Sequence, residues 1–414
     1  MSEIQRLLLD KINNNQSLID NWFEEKFSAK NSLIYNSVDL RHSGFKIVPV
    51  DNNCFPAGFN NLNKDSQHLA SEFIHEFFSK NHSNVKKILL IPENHTRNLK
   101  YLENVLVLKS IIENSGKIKV EIGSLIEDLD DDFVIDLEEN HQIKLHKLIR
   151  KNDKITTKSN FEADLIISNN DFTSAPEAIL HNIYQEIIPS TDIGWHKRTK
   201  SRHFDIYENL ASELASLLDI DVWLINAFHK NCKNINFKNK NNIDNLANLV
   251  SEILLKIKEK YKEYEIADTP YCYVKADSGT YGMAMMTIQD AGEILQINKK
   301  QRNKMNMIKG NIVNHKVIIQ EGVKTIDTVN KIIAEPMIYL VDGKVVGNLY
   351  RNNDQRDNNI SLNSAGMLLG DMRDILDKNL VIGGEKKDIF KIYNVVARLS
   401  SLAAAHEINY KSED

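Results

Sequence analysis

The chain has 414 residues, with 52 Lys or Arg and 57 Asp or Glu, so two or three packed domains are expected. The mild acidic excess and the lack of a long basic stripe argue against nucleic acid as the main partner. The first residues lack the apolar run of a signal peptide, and no long apolar stretch follows, so we expect a cytoplasmic protein without membrane contact. The three cysteines are far apart and lack C-x-x-C spacing, which is typical of free thiols in a reducing compartment.

The first half of the chain alternates strand-like and helix-like patterns. The first thirty residues predict one amphipathic helix, and two later helical patterns cover 67–78 and 98–113. The strand-like runs are residues 45–50, 87–91, 118–120 and 163–167. This alternation predicts βαβ units with a largely parallel sheet. We therefore expect an N-terminal α/β substrate-binding domain over residues 1–189.

A polar block around the first strand has the composition of an amino-acid pocket. Such a pocket needs a cation for the α-carboxylate and Asp or Asn oxygens for the α-ammonium. The candidates are Arg41, Lys46, Asp51, Asn53 and Asn60. The alternative is a polar loop that caps a strand. Cys54, in the same block, is interpreted as a small buried residue rather than a nucleophile.

Two other polar segments invite a ligand. The segment P-E-N-H-T-R-N, residues 92–98, follows a predicted parallel strand, where α/β sheets place ligands. Arg97 is a candidate anion contact there, with N-capping by Thr96 or Asn94 as the alternative. The acidic residues 128–140 have the spacing of a calcium loop, but Phe133 stands where that loop requires glycine, so we expect a solvated hairpin.

From about residue 190 the pattern changes to long helices and then to strands. Helical patterns cover 205–218 and 243–264, and others begin at Ile288 and Asp388. The strand-like runs are 271–275, 316–320, 332–341 and 344–350. Asp342-Gly343 predicts a hairpin turn that brings Glu335 and Arg351 together, either at a functional site or as a plain salt bridge. We expect an α+β domain over residues 190–414.

The segment Y-V-K-A-D-S-G-T-Y-G-M, residues 273–283, places a lysine at a strand end before a glycine-rich loop. Lys275 can contact nucleotide phosphates while the loop backbone approaches the same oxygens, although a hairpin turn also explains the glycines. The strand V-I-I-Q-E-G-V, residues 317–323, suits a hinge whose Glu321 accepts from a ribose or amino group. Either Lys197 or Lys200 is a further phosphate contact, unless their segment is a basic surface turn.

Taken in chain order, these motifs resemble the ATP-grasp superfamily. The chain is also similar over nearly its whole length to the proteobacterial type of glutamate-cysteine ligase, most specifically in residues 37–62. The resemblance implies an ATP-grasp-like second half that uses ATP and Mg²⁺, with L-glutamate and L-cysteine as the other small-molecule partners. The γ-carboxylate of glutamate would attack the terminal phosphoryl group, and the cysteine amine would open the acyl phosphate.

The resemblance also implies roles for single residues. Lys275 and Arg351 would be catalytic. Glu335 and Asn363 are the candidates for Mg²⁺, which prefers hard oxygen ligands. The lysines, the lid over the phosphates and the hinge strand would bind the nucleotide through Lys197, Lys200, Lys275, Ser278, Gly279, Thr280, Tyr281, Gly282, Gln320 and Glu321.

The resemblance leaves some choices open. Many ATP-grasp enzymes have a late E-x-N pair on a strand, whereas the late E-x-N of this chain, Glu407-Ile408-Asn409, lies in a helical pattern. Another ATP-grasp carboxylate-amine ligase, such as a glutathione-synthetase-like enzyme, is the second hypothesis. A nucleotide-binding module without ligation is the third, and it gives no reason for the polar N-terminal block. A homo-oligomer is also compatible with the sequence.

Overall fold

The fold is given by a computed structural model, which describes residues 2–28, 32–126, 129, 131–279, 284–308, 312–357, 362, 366–372 and 388–408. These residues form a mixed α/β fold with several sheets, which confirms the expected fold class. None of the described helices combines the length and apolar composition needed to cross a lipid bilayer.

The described residues form nine α-helices, most of them with a polar residue at the N-cap. They are α1 (Glu3–Asn14), α2 (Gln16–Phe27), α3 (Lys64–Asn81), α4 (Leu99–Asn114), α5 (Lys200–Leu218), α6 (Lys240–Glu263), α7 (Gly292–Leu295), α8 (Lys299–Asn306) and α9 (Ile389–Glu407). The single helix predicted for the first thirty residues is wrong, because the chain leaves helical geometry at Asn15 (φ −118°, ψ 19°). Asn15 also donates its side-chain amide to the Lys11 carbonyl at 2.8 Å, a local bond that competes with helix continuation.

The nine described strands of the first half include four that the alternation predicts and five that it does not. They are β1 (Tyr35–His42), β2 (Ile47–Asn53), β3 (Lys87–Pro92), β4 (Lys119–Ser124), β5 (Phe133–Asp136), β6 (Gln142–Lys151), β7 (Lys154–Thr157), β8 (Leu165–Asn169) and β9 (Glu186–Ile188). The four predicted strands are β2, β3, β4 and β8. Strands β6, β4, β3, β8 and β9 lie side by side in parallel, which confirms the parallel sheet. Strand β5 pairs antiparallel with β6, so the acidic segment is a hairpin where it is described.

The second half contributes antiparallel strands. They are β10 (His229–Lys233), β11 (Cys272–Ala276), β12 (Met285–Ile288), β13 (Met307–Ile308), β14 (Ile312–Val313), β15 (Lys316–Glu321), β16 (Thr328–Val329), β17 (Ile332–Val341), β18 (Lys344–Asn352) and β19 (Leu368–Asp371). The helical pattern predicted to begin at Ile288 is wrong at its start, since Ile288 pairs with Cys272 as the last residue of β12. The nearby helix α7 begins only at Gly292.

Two sheets of the second half position the site. The four-stranded sheet has the order β10-β15-β11-β12, and helix α6 packs on it. The central sheet has the order β19-β18-β17-β1-β2, with β16 added to β17. Since β1 and β2 come from the first half, hydrogen bonds of this sheet join segments on both sides of residue 190. The predicted domain boundary at residue 190 therefore does not coincide with a break in this sheet. The boundary stays a prediction.

The central sheet is covered on both faces. Helices α1, α2, α5 and α9 pack on one face, with Ile338, Leu340, Leu399 and Leu402 in their core. Helices α3 and α4 fill the space between the other face and the parallel sheet. Each fully buried aliphatic side chain contributes about 1.5–3 kcal/mol relative to exposure, so these two cores fix the sheet firmly. The charged residues of the site lie on this rigid support.

Candidate functional site

A row of opposite charges crosses three strands of the central sheet. Glu335 on β17 lies directly opposite Arg351 on β18, so the two ends of the predicted hairpin do come together. Its carboxylate forms an ion pair with Arg41 of β1 and lies 3.4 Å from Arg351 Nη1. All three side chains are buried. The negative charge of this buried carboxylate is compensated by a guanidinium group on each side. A single buried ion pair would compensate it on one side only.

Two aspartates extend this row toward the edge strand. Asp39 lies directly opposite Asp51 in the β1–β2 pairing. Arg351 Nη1 donates to Asp39 Oδ2 at 2.7 Å. Burial raises the pKa of Asp39, Arg351 partly offsets this, and the neighbouring charges of Asp51 and Glu335 raise it further. These carboxylates repel one another, and an added cation would relieve that repulsion.

Two lysines from other elements contact adjacent residues of β2. Lys200, the first residue of α5, donates to Asp51 Oδ1 at 2.7 Å. Lys275, on β11, donates to the Val50 carbonyl at 3.0 Å. We call these seven residues the charged cluster; they are Asp39, Arg41, Asp51, Lys200, Lys275, Glu335 and Arg351.

The electrostatics of the lysine side of the cluster are unusual. Burial, together with the adjacent Lys200 charge, lowers the pKa of Lys275 to about 7. Burial raises the pKa of Asp51, but Lys200 and Lys275 outweigh it and hold that pKa below its ordinary value. The Lys275 ammonium therefore lies where an additional anion would stabilise its charged form.

The charged cluster has the composition of a site for phosphorylated or carboxylate ligands. It has four basic side chains and three acidic ones, and they come from the central sheet, the four-stranded sheet and the N-terminus of a long helix. Ammonium and guanidinium groups of this kind stabilise the spread charge of a transferring phosphoryl group.

Two predicted contacts lie elsewhere. Lys46 Nζ and Glu321 Oε1 are 2.9 Å apart, and both side chains are fully buried. Glu321 also accepts from Trp223 Nε1 at 3.1 Å and from the Phe228 amide at 3.0 Å. Burial lowers the pKa of Lys46 to about 8 although Glu321 opposes this. Since these groups satisfy one another in the interior, we leave Lys46 and Glu321 out of the ligand contacts proposed for the site.

The structure distinguishes between the two upstream lysines. Lys197 is exposed and pairs with Asp192 at 2.5 Å. Lys200 is in the charged cluster and also lies 4.3 Å from the centre of the Trp195 ring. Of the two alternatives, the geometry favours Lys200.

The hinge strand contributes a different group. Gln320 on β15 is buried, and neither of its amide atoms has a hydrogen-bond partner among the described residues. It lies directly opposite Tyr273, two residues before Lys275. Its amide is therefore a free donor and acceptor next to the lysine strand.

The remaining predicted contacts are the residues of the glycine-rich segment and Asn363. Ser278 and Gly279 (φ +87°) directly follow the lysine strand. Thr280, Tyr281, Gly282 and Asn363 lie outside the described residues. Gly279 is in the left-handed region, which a residue with a Cβ adopts at a cost, so this glycine is required by the backbone.

The remaining candidates of the first half are Asn60, Arg97 and Asn53, which ends β2 two residues after Asp51. Asn53 accepts from the Phe55 amide at 2.9 Å, as in a capped turn, and Asn60 is half-buried in a short 3₁₀ turn. Arg97 is exposed, and no described contact joins it to the charged cluster. The N-cap of the helix that follows is Asn98 rather than Thr96 or Asn94, since Asn98 accepts from the Tyr101 amide. The site roles of all three candidates stay predictions.

Cys54 is a buried free thiol whose pKa burial raises to about 12. A thiol that stays protonated is a poor nucleophile, so the interpretation as a small buried residue agrees with its surroundings.

A bound metal ion requires converging oxygen ligands. Among the described residues, no three carboxylate, imidazole or thiol groups converge on one metal position. Mg²⁺ is commonly held by one or two carboxylates together with phosphate oxygens and water. Asp39 and Glu335, whose carboxylates both contact Arg351 Nη1, fit that smaller ligand set. Glu407 does not, because it pairs with Arg198 at 2.8 Å in the interior.

Asp39 is not among the site residues predicted from the sequence. Its signal is the D-L-R spacing of residues 39–41, which places Asp39 and Arg41 on the same face of one strand. The spacing indicates a shared site with Glu335 only in combination with the pairing of β1 and β17.

Comparisons with known proteins point to one family. The GshA family model, glutamate-cysteine ligase, matches residues 10–408. A protein from Methylobacillus flagellatus KT, whose solved structure carries the provisional name gamma-glutamylcysteine synthetase, is 36% identical to this chain. The superposition covers 99% of this chain and 97% of that one, with a TM-score of 0.89. A search of curated proteins gave no match.

Two other solved structures are only distantly similar. A glutathione synthetase-like effector from Globodera pallida is 9% identical, with 92% of this chain and 79% of that one covered and a TM-score of 0.42. D-alanyl-alanine synthetase A from Vibrio cholerae O1 biovar eltor str. N16961 is 11% identical, with 75% and 80% covered and a TM-score of 0.35. At TM-scores this low, neither structure supports an assignment for this chain.

Proposed function

We propose, because the chain belongs to the glutamate-cysteine ligase family, that the charged cluster is the site where ATP drives the ligation of L-glutamate to L-cysteine. The reaction yields γ-glutamylcysteine, ADP and phosphate, the first step of glutathione biosynthesis. The observation that carries the assignment of the site is the convergence of Lys200 and Lys275 on residues Val50 and Asp51, beside the Arg351 row.

The phosphoryl-transfer half of the reaction falls to the basic side chains. Lys200 and Lys275 contact the nucleotide phosphates, and Arg351 neutralises charge on the transferring group. The γ-carboxylate of glutamate attacks the terminal phosphoryl group, and ADP leaves. No covalent bond to the protein is needed, since positioning and charge stabilisation supply most of the catalysis in this chemistry.

The second half of the reaction requires protection from water. The cysteine amine attacks the acyl phosphate of glutamate and expels phosphate, and hydrolysis competes with this step. The loop that begins at Ser278 and Gly279 is proposed to close over the phosphates, together with Thr280, Tyr281 and Gly282. Gln320 is proposed to meet the nucleotide base with its free amide.

Glutamate is proposed to bind between Arg41 and Asp51, whose opposite charges suit an α-carboxylate and an α-ammonium. Arg41 forms an ion pair with Glu335 in the structure. A substrate carboxylate on Arg41 would take over part of that contact, which leaves Glu335 available for other partners.

The family implies an ATP-dependent ligase with a divalent metal, and we propose Mg²⁺. Glu335 and Asp39 would hold it, with Asn363 as a further candidate from the sequence. The ion would neutralise phosphate oxygens during transfer. The three buried free thiols suit a reducing compartment, so we also propose a cytoplasmic location.

The experiment that tests this function is phosphate release from ATP with glutamate, scored against a panel of second amino acids, with the product identified by mass spectrometry. We expect release to require both glutamate and cysteine and to yield γ-glutamylcysteine. Release that instead requires γ-glutamylcysteine and glycine would replace the proposal with the glutathione-synthetase-like alternative. ATP binding without any ligation would favour the nucleotide-binding module.

A further inference from the structure

Asp277 joins the lysine strand to the start of helix α5. It follows β11 directly and is buried, with only 2% of its surface exposed. Its Oδ1 accepts from the Ser201 amide at 2.7 Å, and its Oδ2 accepts from the Ser201 hydroxyl at 2.7 Å. Its backbone carbonyl accepts from the Lys200 amide at 2.6 Å. One residue therefore makes three hydrogen bonds to the first two residues of the helix.

These bonds satisfy groups that the helix itself leaves unpaired. The first four amides of an α-helix have no acceptor inside it, and the N-terminus carries partial positive charge. Thr199 caps the Arg202 amide, while Asp277 takes those of Lys200 and Ser201. A carboxylate at this position is favourable on both counts, so the contact is strong as well as specific.

The contact fixes two lysines that would otherwise repel each other. Lys200 is the residue whose amide Asp277 binds, and Lys275 lies two residues before Asp277 on the same strand. Their ammonium groups reach adjacent residues of β2, at Asp51 and Val50. Asp277 is bonded to the Lys200 backbone and lies two residues from Lys275 in the chain, so it fixes the backbones of the two lysines relative to each other.

The other bonds of Asp277 extend this support. Its backbone amide donates to the Lys316 carbonyl at 3.0 Å, at the start of the neighbouring strand β15. The next residues along the chain are Ser278 and Gly279, where the glycine-rich loop begins. Asp277 is therefore bonded both to the four-stranded sheet and to α5, directly before this loop.

We infer that Asp277 is a positioning residue for ATP: it holds Lys200 and Lys275 side by side and anchors the near end of the glycine-rich loop. This inference rests on the proposed function, in which the two lysines contact the nucleotide phosphates. It assigns no contact between Asp277 and the substrate, so its effect is exerted through the lysines.

The test compares Asp277→Ala with Asp277→Asn. The alanine variant loses both side-chain bonds to Ser201, whereas the asparagine variant keeps an acceptor for the amide and can donate to the hydroxyl oxygen. We expect Asp277→Ala to raise the KM for ATP and to lower kcat/KM by about ten- to a hundredfold, since small misplacements of this kind have costs of that size. The KM for cysteine stays near its wild-type value, and Asp277→Asn recovers most of the loss.

The matched control is Asp290→Asn. Asp290 Oδ1 accepts from the Gly292 amide at 2.7 Å, so it also bonds to the first residue of a helix, but it is exposed and no described contact joins it to the two lysines. We expect it to leave the KM for ATP unchanged. If Asp277→Ala melts at a lower temperature but has wild-type kinetic constants, the residue is merely structural and the inference is overturned.

A binding measurement separates this inference from the proposed function. Calorimetric titration with a non-hydrolysable ATP analogue requires no ligation, so it reports on Asp277 even if the protein proves to catalyse a different reaction. Weaker analogue binding by Asp277→Ala, with recovery in Asp277→Asn, supports the inference. If Asp277→Ala does not fold, Ser201→Ala removes only the hydroxyl bond, and an unchanged analogue affinity in that variant counts against it.

Discussion

Lys275 is a lysine whose charge state depends on what lies beside it. Its pKa is lowered to about 7 by burial and by Lys200, so the free protein at pH 8 holds it largely neutral. A nucleotide phosphate stabilises the ammonium form and raises that pKa again. At pH 8 the Lys275 side chain is thus mostly neutral without a nucleotide and mostly charged when a phosphate lies beside it.

Nucleotide binding should therefore take up a proton at Lys275. Above pH 7 the affinity for ADP is expected to fall by up to about tenfold per pH unit, since each unit of pKa shift is a tenfold change. Calorimetric titrations at pH 8 in two buffers of different ionisation enthalpy measure the uptake directly. In Lys275→Arg, whose guanidinium stays charged, the uptake should disappear. Equal uptake in that variant would place the titrating group elsewhere.

Lys200 and Lys197 form a matched pair for mutation, three residues apart. Lys200→Ala removes a partly buried ammonium that binds Asp51, whereas Lys197→Ala removes an exposed one that binds Asp192. We expect Lys200→Ala to lower kcat/KM for ATP on the order of a hundredfold, as for loss of a charge-stabilising group. Lys197→Ala should change it less than about twofold, since exposed ion pairs contribute little. Steady-state kinetics at saturating amino acids decide between them.

At the scale of elements, the β17–β18 hairpin places one acidic and one basic residue of the charged cluster opposite each other. The turn at Asp342 and Gly343 has positive φ at both residues (+49° and +71°), the geometry of the tight turn expected from that dipeptide. A register shift within the hairpin then places Glu335 opposite Arg351. The turn dipeptide and this irregularity together determine the contact.

Glu335→Gln tests whether this contact serves the metal. If Glu335 binds Mg²⁺, the variant should need a higher Mg²⁺ concentration for half-maximal activity, by about tenfold or more for loss of one charged ligand. Activity titrated against Mg²⁺ at fixed ATP measures this. A lower melting temperature with unchanged Mg²⁺ dependence would instead identify Glu335 as a structural link between Arg41 and Arg351.

Arg41→Ala tests the amino-acid side of the cluster. Loss of a bidentate contact between an arginine and a carboxylate should weaken glutamate binding on the order of a hundredfold. We expect the KM for glutamate to rise and the KM for ATP to change little. Because Arg41 also pairs with buried Glu335, thermal stability must be measured in parallel. A change confined to the KM for ATP would assign Arg41 to the nucleotide.

Local patterns predicted the five longest helices and eight of the nineteen described strands, whereas the pairings between distant segments were hidden. The strand over 332–341 was predicted at both its ends, because alternating apolar residues and a turn dipeptide are local signals. Nothing local shows that β1 lies beside β17, so the link from Arg41 to Glu335 could not be foreseen. The pair between Lys46 and Glu321 spans 275 residues and was hidden for the same reason.

On the scale of the whole molecule, helix α9, near residue 400, packs against elements from the first residues of the chain. It packs against α1, α2, α5 and the central sheet. A buried polar network supports this packing. Arg198 binds Glu407 through two bonds of 2.8 and 2.9 Å, and His203 binds it at 2.7 Å. Arg198 Nη1 also donates to the Asn52 carbonyl, beside Asp51 of the charged cluster. The packing of the last described helix thus supports the strand that carries the site.

Glu407→Gln should destabilise the protein by about 3 kcal/mol or more, because it leaves the buried Arg198 charge uncompensated. Burial alone would raise the pKa of Glu407, but Arg198 and His203 outweigh it and lower that pKa from 4.5 to about 2. A carboxylate whose pKa is lower in the folded state stabilises fully above its unfolded value, and this stabilisation is lost as the pH falls toward the folded value. The difference between wild type and variant should therefore be constant from pH 7 to about pH 5 and narrow below pH 4.5.

Urea unfolding at a series of pH values measures this difference. Glu213→Gln is the matched control, since Glu213 of α5 forms an ion pair of 2.6 Å with Lys26 of α2 and is half exposed. That variant should cost less than about 1 kcal/mol, as exposed ion pairs do. A Glu407→Gln effect equal to the control, or one that does not change with pH, would show that Glu407 does not stabilise the return of α9 to the central sheet.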